Sequence, residues 1–442
     1  MDHTRPPLSL LRLLEQTRLG PVESYQKNVR TCLRERFLEE TPTWNISKTA
    51  SPFKRRVTCL EWHPTYHNVV AVASHAGDIL LWNYEEPSRN IFNEGVGYGH
   101  GSITEMKFHP ENPTLIYAAA VDGRFWLQDL QGKFSEVYLD TMDIQFWWCS
   151  FDFSREHNVI FVGDNVGNAV LLDSSGRKIC KYSRFHKGKI KHVEFCPARS
   201  WTLATSSVDH TVVLWDIRML RLQNCTVPRG SKYNRNAVAI MDHGSPVNSA
   251  YFDPIYGSRI LTTSQNSELR VYDPHDWSEP TNVMEHPHRH FQHITDIQAT
   301  WHPLYDDLCV VGRYPASGDP DQTRTVDLID LGSGEQVGSF YSSSAAGIIG
   351  RNKFNKRADA LASGMGYHAL IWQPSCEIKS KMRMDEGGKA KSKQRLLPGD
   401  PLSGTKKTKK RKKDSDDGQC SAKKMKRQHG SINVSCNKRK YM

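Results

Sequence analysis

FHKGKIKHVEFCPARSWTLATSSVDHTVVLWDIR, residues 185–218, is the stretch that decides the fold. Two apolar runs, around IKHVEF and TVVLW, are separated by polar turn residues, and the second ends in Trp215-Asp216. Short strands at this spacing, closed by a Trp-Asp pair, mark a WD repeat. One such unit cannot bury its own apolar face, so it calls for neighbours of the same kind.

Outward from it, an aromatic followed by a polar residue, usually with proline next, recurs along the chain. It stands at Trp62-His63-Pro64, Phe108-His109-Pro110, Phe151-Asp152-Phe153, Phe195-Cys196-Pro197, Phe252-Asp253-Pro254, Trp301-His302-Pro303 and Phe354-Asn355-Lys356. The steps between middle residues are 46, 43, 44, 57, 49 and 53. About 20 residues after each comes an apolar strand ending in Trp or an acid, such as LLWN at 80–83 or LIWQ at 370–373. Turns such as Asn165-Val166-Gly167-Asn168 lie between. The period predicts an all-β, seven-bladed WD-repeat β-propeller over residues 49–375, a ring without open sheet edges.

Residues 1–48 read as a helical segment. Leu10, Leu11 and Leu14 share one face, Gly20-Pro21 ends that helix, and Ser24 caps a second lined by Tyr25, Val29, Cys32, Leu33 and Phe37. So short a pair must pack on the ring or on a partner. The segment 376–442 holds 21 Lys/Arg against 7 Asp/Glu, and its composition predicts a disordered polybasic tail. Of the formal net charge of +11, the tail supplies +14, leaving −3 for the preceding 375 residues. Any nucleic-acid site on the ring is therefore a local patch. The clusters 406–413 and 423–427 have the make-up of nuclear-import signals. No apolar run reaches the ~18 residues of a membrane span, so no membrane partner is expected. Ten scattered cysteines without a CxxC pair read as reduced thiols and not as zinc ligands. No phosphate-binding glycine loop and no nucleophile–base pairing is visible, so neither enzyme nor cofactor is expected.

Propeller strands alternate in direction, which sorts connections by rim. Joints between blades, and turns between a blade's second and third strands, open on one side. There the sequence places Arg55-Arg56, Trp147-Trp148, His186-Lys187-Gly188-Lys189, the run HPHRHFQHIT at 286–295, the connection from Arg313-Tyr314 to Arg324, and Gly366-Tyr367-His368. Cations interleaved with flat rings suit phosphates and bases. Singly, each residue has plainer readings. Arg55 and Arg56 can be solvated charge and Trp147 core. His186 with Asp209 and Trp215 fits a blade's own hydrogen-bond network. His286, His288 and His290 admit a metal, a solvated loop or base reading. Metal is disfavoured because Pro287 breaks the geometry and no thiol or carboxylate is near. Trp215-Asp216-Ile217-Arg218 falls on the opposite rim, where Arg218 can meet a partner's carboxylate or pair within its blade.

Taken together, PFKRRVTCLEWHPT (52–65), GDNVGN (163–168), TLATSSVDHTVVLWDIR (202–218), HPHRHFQHIT (286–295), VVGRYP (310–315) and LASGMGYHALIW (361–372) resemble the small, WD-repeat subunits of UV-damaged-DNA-binding complexes. The resemblance covers residues 8–375. It implies that Phe291, Gln292 and His293 wedge into the minor groove at a photolesion while the damaged bases flip into a shallow pocket. It further implies that Arg56, Lys189 and Arg324 hold phosphates and that Trp147 and Tyr367 shape the pocket. Leu10, Leu11, Leu14, Asp216 and Arg218 would meet a large triple-propeller adaptor, making the chain a substrate receptor of a cullin-RING ubiquitin ligase acting on histones in nuclear chromatin. The resemblance does not lead one to expect the long basic tail. A different class, a chromatin propeller reading histone tails or degrons, uses the same rim for peptides.

Overall fold

Each repeat forms a four-stranded antiparallel sheet, and seven such sheets form the ring of a β-propeller. The computed structural model describes residues 22–95, 101–143, 145–222, 237–289, 295–315 and 323–375, the side chains of 22–27 and 221–222 apart. Blades one to six span 57–93, 103–140, 148–182, 190–242, 247–285 and 300–340. The seventh takes three strands from 349–374 and its outermost from Trp44–Ala50, which pairs antiparallel with His368–Pro374. The ring therefore begins at 44, ahead of the boundary expected at 49. Trp44 is buried between blades six and seven, 5.3 Å from the Phe340 ring and 5.9 Å from Phe354. Nothing local announces this strand, because its partner is more than 300 residues away.

The recurring aromatic-polar motif acquires a physical cause. The aromatic ends the innermost strand, and the polar residue caps the turn that follows. His63 Nδ1 accepts from the amides of Thr65 and Tyr66 at 3.1 and 3.0 Å. His109 and His302 do the same in blades two and six. Asp253 accepts from four amides in blade five. Blade three departs from the expected alignment. There Phe153, which pairs with Ile160, holds the place that Trp62 holds opposite Val70. Asp152 instead links blade three to both neighbours, accepting from Lys107 Nζ of blade two at 2.9 Å and the Phe195 amide of blade four at 2.7 Å.

Blade four carries the network expected of a WD repeat. Trp215 Nε1 donates to Thr205 Oγ1 at 2.7 Å, His186 bridges Thr205 at 2.7 Å and Asp209 at 2.9 Å, and all four are largely buried. His186 is thus a structural residue. Five cysteines are free among the described residues.

Of the two expected helices, the second is present as Val22–Glu40, starting two residues before Ser24. Its Phe37 ring lies 4.7 Å from His302, 5.9 Å from Tyr305 and 6.0 Å from Phe354. Arg34 pairs with Asp307 at 2.5 Å and also with Asp330. Leu33, expected on the packed side, is 42% exposed, and Leu38 packs in its place. Leu10, Leu11, Leu14 and the tail 376–442 lie outside the described residues. No helix among the described residues is long and apolar enough to cross a membrane.

Candidate nucleic-acid interface

In six blades the innermost strand shifts register between its first and third residues, as at Val57/Cys59, Ile190/His192 and Ile349/Arg351. A bulge re-aims the side chain it carries, and all six lie at the rim where the joints between blades open. Three of the residues between the shifted pairs reach beyond their own blades. Thr104 Oγ1 donates to the Trp148 carbonyl at 2.8 Å, Asn248 Nδ2 to the Ile297 carbonyl at 3.3 Å, and Lys191 pairs with Asp296.

That last pair locates the joint carrying the histidine run. Leaving blade five after Glu285, the joint enters blade six only at Thr300. On the way Thr295 Oγ1 donates to the Val57 carbonyl of blade one at 2.7 Å, and Asp296 meets Lys191 of blade four. A segment touching blades one and four crosses the middle of the ring's mouth. Gly350 permits the crossing, since a Cβ there would stand 3.0 Å from the Thr295 carbonyl oxygen and 3.2 Å from that of Asp296. Phe291, Gln292 and His293 lie outside the described residues, between Arg289, exposed on one side, and this anchor on the other.

Around the crossing stand the other expected residues. Arg56 is half-buried next to Val57, and its pKa is lowered by burial and by Arg55, against the opposing pull of Asp296. His75 is likewise lowered by burial, Arg56 and Arg55, so a cationic corner forms on a ring with net negative charge. Lys189 Nζ lies 5.9 Å from the centre of the Trp147 ring, within reach of a cation–π contact. The Trp147 amide donates to Asn165 Oδ1 at 3.1 Å, fixing the ring's base, while its indole Nε1 is buried and lacks a partner among the described residues. Its neighbour Trp148 belongs to the core of blades two and three. Arg324 is half-exposed, donating to the Ala346 carbonyl at 2.7 Å with its guanidinium 5.5 Å from the Tyr314 ring. Tyr367 is 51% exposed at a turn made by Gly366 (φ 54°), whose carbonyl accepts from the Val57 amide at 2.6 Å. Arg56, Trp147, Lys189, Arg324 and Tyr367 therefore share one rim.

Two residues at this mouth escaped the sequence reading. Lys191 and Asp296 sit in strand-like runs, and only the bulge and a contact spanning 105 residues brings them together. Burial lowers the Lys191 pKa, and the facing Asp296 carboxylate, itself lowered, counters it. Among the described residues no group of three or more His, Cys, Asp or Glu is arranged to hold a metal.

The opposite rim has another character. Arg218 is exposed and forks onto Asp216 through Nε at 3.0 Å and Nη2 at 2.5 Å, with its guanidinium 4.7 Å from the Trp201 ring. The helix Val22–Glu40 packs against turns of this rim, at His302, Tyr305, Asp307 and Asp330.

Comparison with known proteins gives the same architecture. The pattern described as WD domain, G-beta repeat matches residues 178–216. A crystal structure of Raptor from Chaetomium thermophilum superposes with TM-score 0.59 over 77% of this chain and 30% of that one, at 12% identity, a likeness of fold alone. The protein is thus a seven-bladed WD-repeat propeller. Among proteins of this architecture, DNA damage-binding protein 2 of Gallus gallus is 44% identical over 82% of this chain and 71% of its own. The Bos taurus protein of that name is 41% identical, covering 84% of each chain, and the Danio rerio protein 41%, over 86% and 75%. The chain belongs to the DNA damage-binding protein 2 family.

Proposed function

We propose that this chain is a non-catalytic sensor of UV photolesions in duplex DNA. Phe291, Gln292 and His293 enter the minor groove at a cyclobutane dimer or 6-4 photoproduct, and the two damaged bases turn out toward Trp147 and Tyr367. Arg56, Lys189 and Arg324 hold the flanking phosphates. Damage already weakens stacking and pairing, so extrusion costs least at the lesion, where a few kcal/mol is the usual scale. Selectivity then follows deformability and pocket shape, not base sequence. The observation that supports this reading is the anchor at Thr295 and Asp296, which follows the triplet in sequence and lies at the mouth where these cations and rings gather. Phe291→Ala combined with Gln292→Ala is expected to abolish the preference for UV-irradiated over intact duplex in a gel-shift assay. Undiminished preference would refute the wedge.

On the other rim, Asp216, Arg218 and the segment 1–48, with Leu10, Leu11 and Leu14, dock a large triple-propeller adaptor. The ring thereby becomes the substrate receptor of a cullin-RING ubiquitin ligase, directed to histones at damaged nucleosomes. The basic tail 376–442 supplies nuclear import and nonspecific affinity for chromatin. Global nucleotide-excision repair in the nucleus is the process this assembly would start.

A further inference from the structure

Phe146 is 41% exposed beside Trp147, yet its backbone is held on both sides. Asn165 lies in the turn between the strands Val159–Asp164 and Ala169–Asp173, and its side-chain amide grips both neighbours of Phe146. Its Nδ2 donates to the Gln145 carbonyl at 2.8 Å, and its Oδ1 accepts from the Trp147 amide at 3.1 Å. The Phe146 amide donates to the Asp143 carbonyl at 3.1 Å, and its own carbonyl accepts from Thr141 Oγ1 at 2.7 Å. The loop also rests on Gly123 of blade two (φ 88°), where a Cβ would stand 3.1 Å from the Phe146 carbonyl oxygen.

A ring left partly in water gains only part of the stabilisation that burial brings. Held rigid, it offers contact area that loses little entropy on binding. We infer that Phe146 is a further DNA-contacting residue, a stacking face for a base of the damaged strand next to the lesion, with Asn165 as its positioning residue. The inference rests on the lesion-binding reading of this rim. A phenyl face carries no hydrogen-bonding group with which to read a base edge, and every base offers it a π-face. It therefore suits a site whose selectivity does not follow base sequence.

The same turn sets the place of the nearest cation. The His186 amide donates to the Gly167 carbonyl at 2.9 Å. A Cβ on Gly167 would stand 2.3 Å from the His186 carbonyl oxygen and 2.8 Å from that of Gly188. Lys189 follows directly, with its Nζ 5.9 Å from the centre of the Trp147 ring. One tight turn thus registers Phe146 and Trp147 against Lys189. Two carboxylates border the loop, and each accepts from a backbone amide of the loop itself. Asp140 Oδ1 accepts from the Met142 amide and Asp143 Oδ1 from the Gln145 amide, both at 2.8 Å. Their charge repels phosphate, so the DNA backbone belongs on the Lys189 side and a base meets the ring. Met142, 91% exposed in the same loop, and Val166, 41% exposed next to Asn165, add apolar surface to this rim.

The test measures binding of the full chain to a duplex with one defined photoproduct, to the same duplex undamaged, and to nucleosomes carrying that photoproduct. Phe146→Ala should weaken binding to the damaged duplex about tenfold, within the range of one stacked base. Affinity for the undamaged duplex, which rests on cations, should stay near that of the wild type. Phe146→Trp, which keeps a flat ring, should recover the loss, and Phe146→Leu, which keeps apolar bulk alone, should not. Asn165→Ala should also weaken lesion binding, and combined with Phe146→Ala it should cost less than it does alone, because it acts through that ring. Should Asn165→Ala not fold, Asn165→Asp, which keeps the acceptor for the Trp147 amide, takes its place. Wild-type binding by Phe146→Ala or Phe146→Leu, or equal loss on both duplexes, would overturn the stacking role. Loss confined to nucleosomes would assign the ring to a protein partner and overturn it as well. Full additivity of the two substitutions would overturn the positioning role of Asn165. A wild-type chain without preference for the damaged duplex would instead overturn the lesion reading, and that result is seen before any variant is made.

Discussion

Histidine does different jobs in this chain, and its surroundings decide which: His186 bridges Thr205 and Asp209 inside blade four, whereas other histidines cap turns. At the turns His63, His109 and His302 each offer an unprotonated Nδ1 to two amides, so the charged form has no place there. Burial pushes the His302 pKa down to about 3. The unfolded chain therefore takes up a proton near the ordinary value of about 6.5 while the folded one does not. Its contribution to stability is lost as pH falls through that interval. His302→Asn copies Asn355, which caps the corresponding turn of blade seven, and removes this titration. Calorimetry should show a shallower decline of Tm from about pH 6.5 to pH 4, with a loss of about 1–2 kcal/mol at neutral pH from the missing ring contacts with Phe37 and Phe354. An unchanged slope would show that His302 is not held neutral.

At the scale of the element, the ring depends on one seam. Trp44–Ala50 closes blade seven, and Trp44 fills the space between Phe340, Phe354 and Phe37. Trp44→Ala should lower the urea-unfolding free energy by about 3–5 kcal/mol, whereas Leu33→Ala on the exposed side of the helix should change it by less than about 0.5 kcal/mol. Equal effects would mean that the seam bears no special load. The same scale separates what could be read in the residues from what could not. Repeat number and rim sorting follow from period and strand direction, and both were legible. Blade three was misaligned because a slip of two residues, from Phe153 to Phe151, keeps the same face of a strand. Lys191 and Asp296 were illegible because a bulge breaks the alternation on which strand reading relies. Trp44 was missed because a closing strand finds its partner across the whole chain.

Across the whole molecule, the two rims separate two chemistries. Arg56, Lys189, Arg324 and the rings of Trp147 and Tyr367 occupy one, while Arg218 and the docked helix occupy the other. A disturbance of one rim should leave the other intact. Arg218→His is expected to weaken pull-down of the triple-propeller adaptor while lesion binding by the ring is retained, and loss of both would indicate misfolding instead. The charge distribution makes a second separation. The ring is slightly acidic and the tail strongly basic, so nonspecific affinity should come from the tail and fall steeply with salt. The lesion preference should come from the ring. The decisive measurement is therefore binding to a duplex with one defined photoproduct, against the same duplex undamaged, through a salt titration. Preference for the damaged duplex that survives as overall affinity falls is the predicted result. A steep salt dependence with equal affinity for both duplexes would contradict the account.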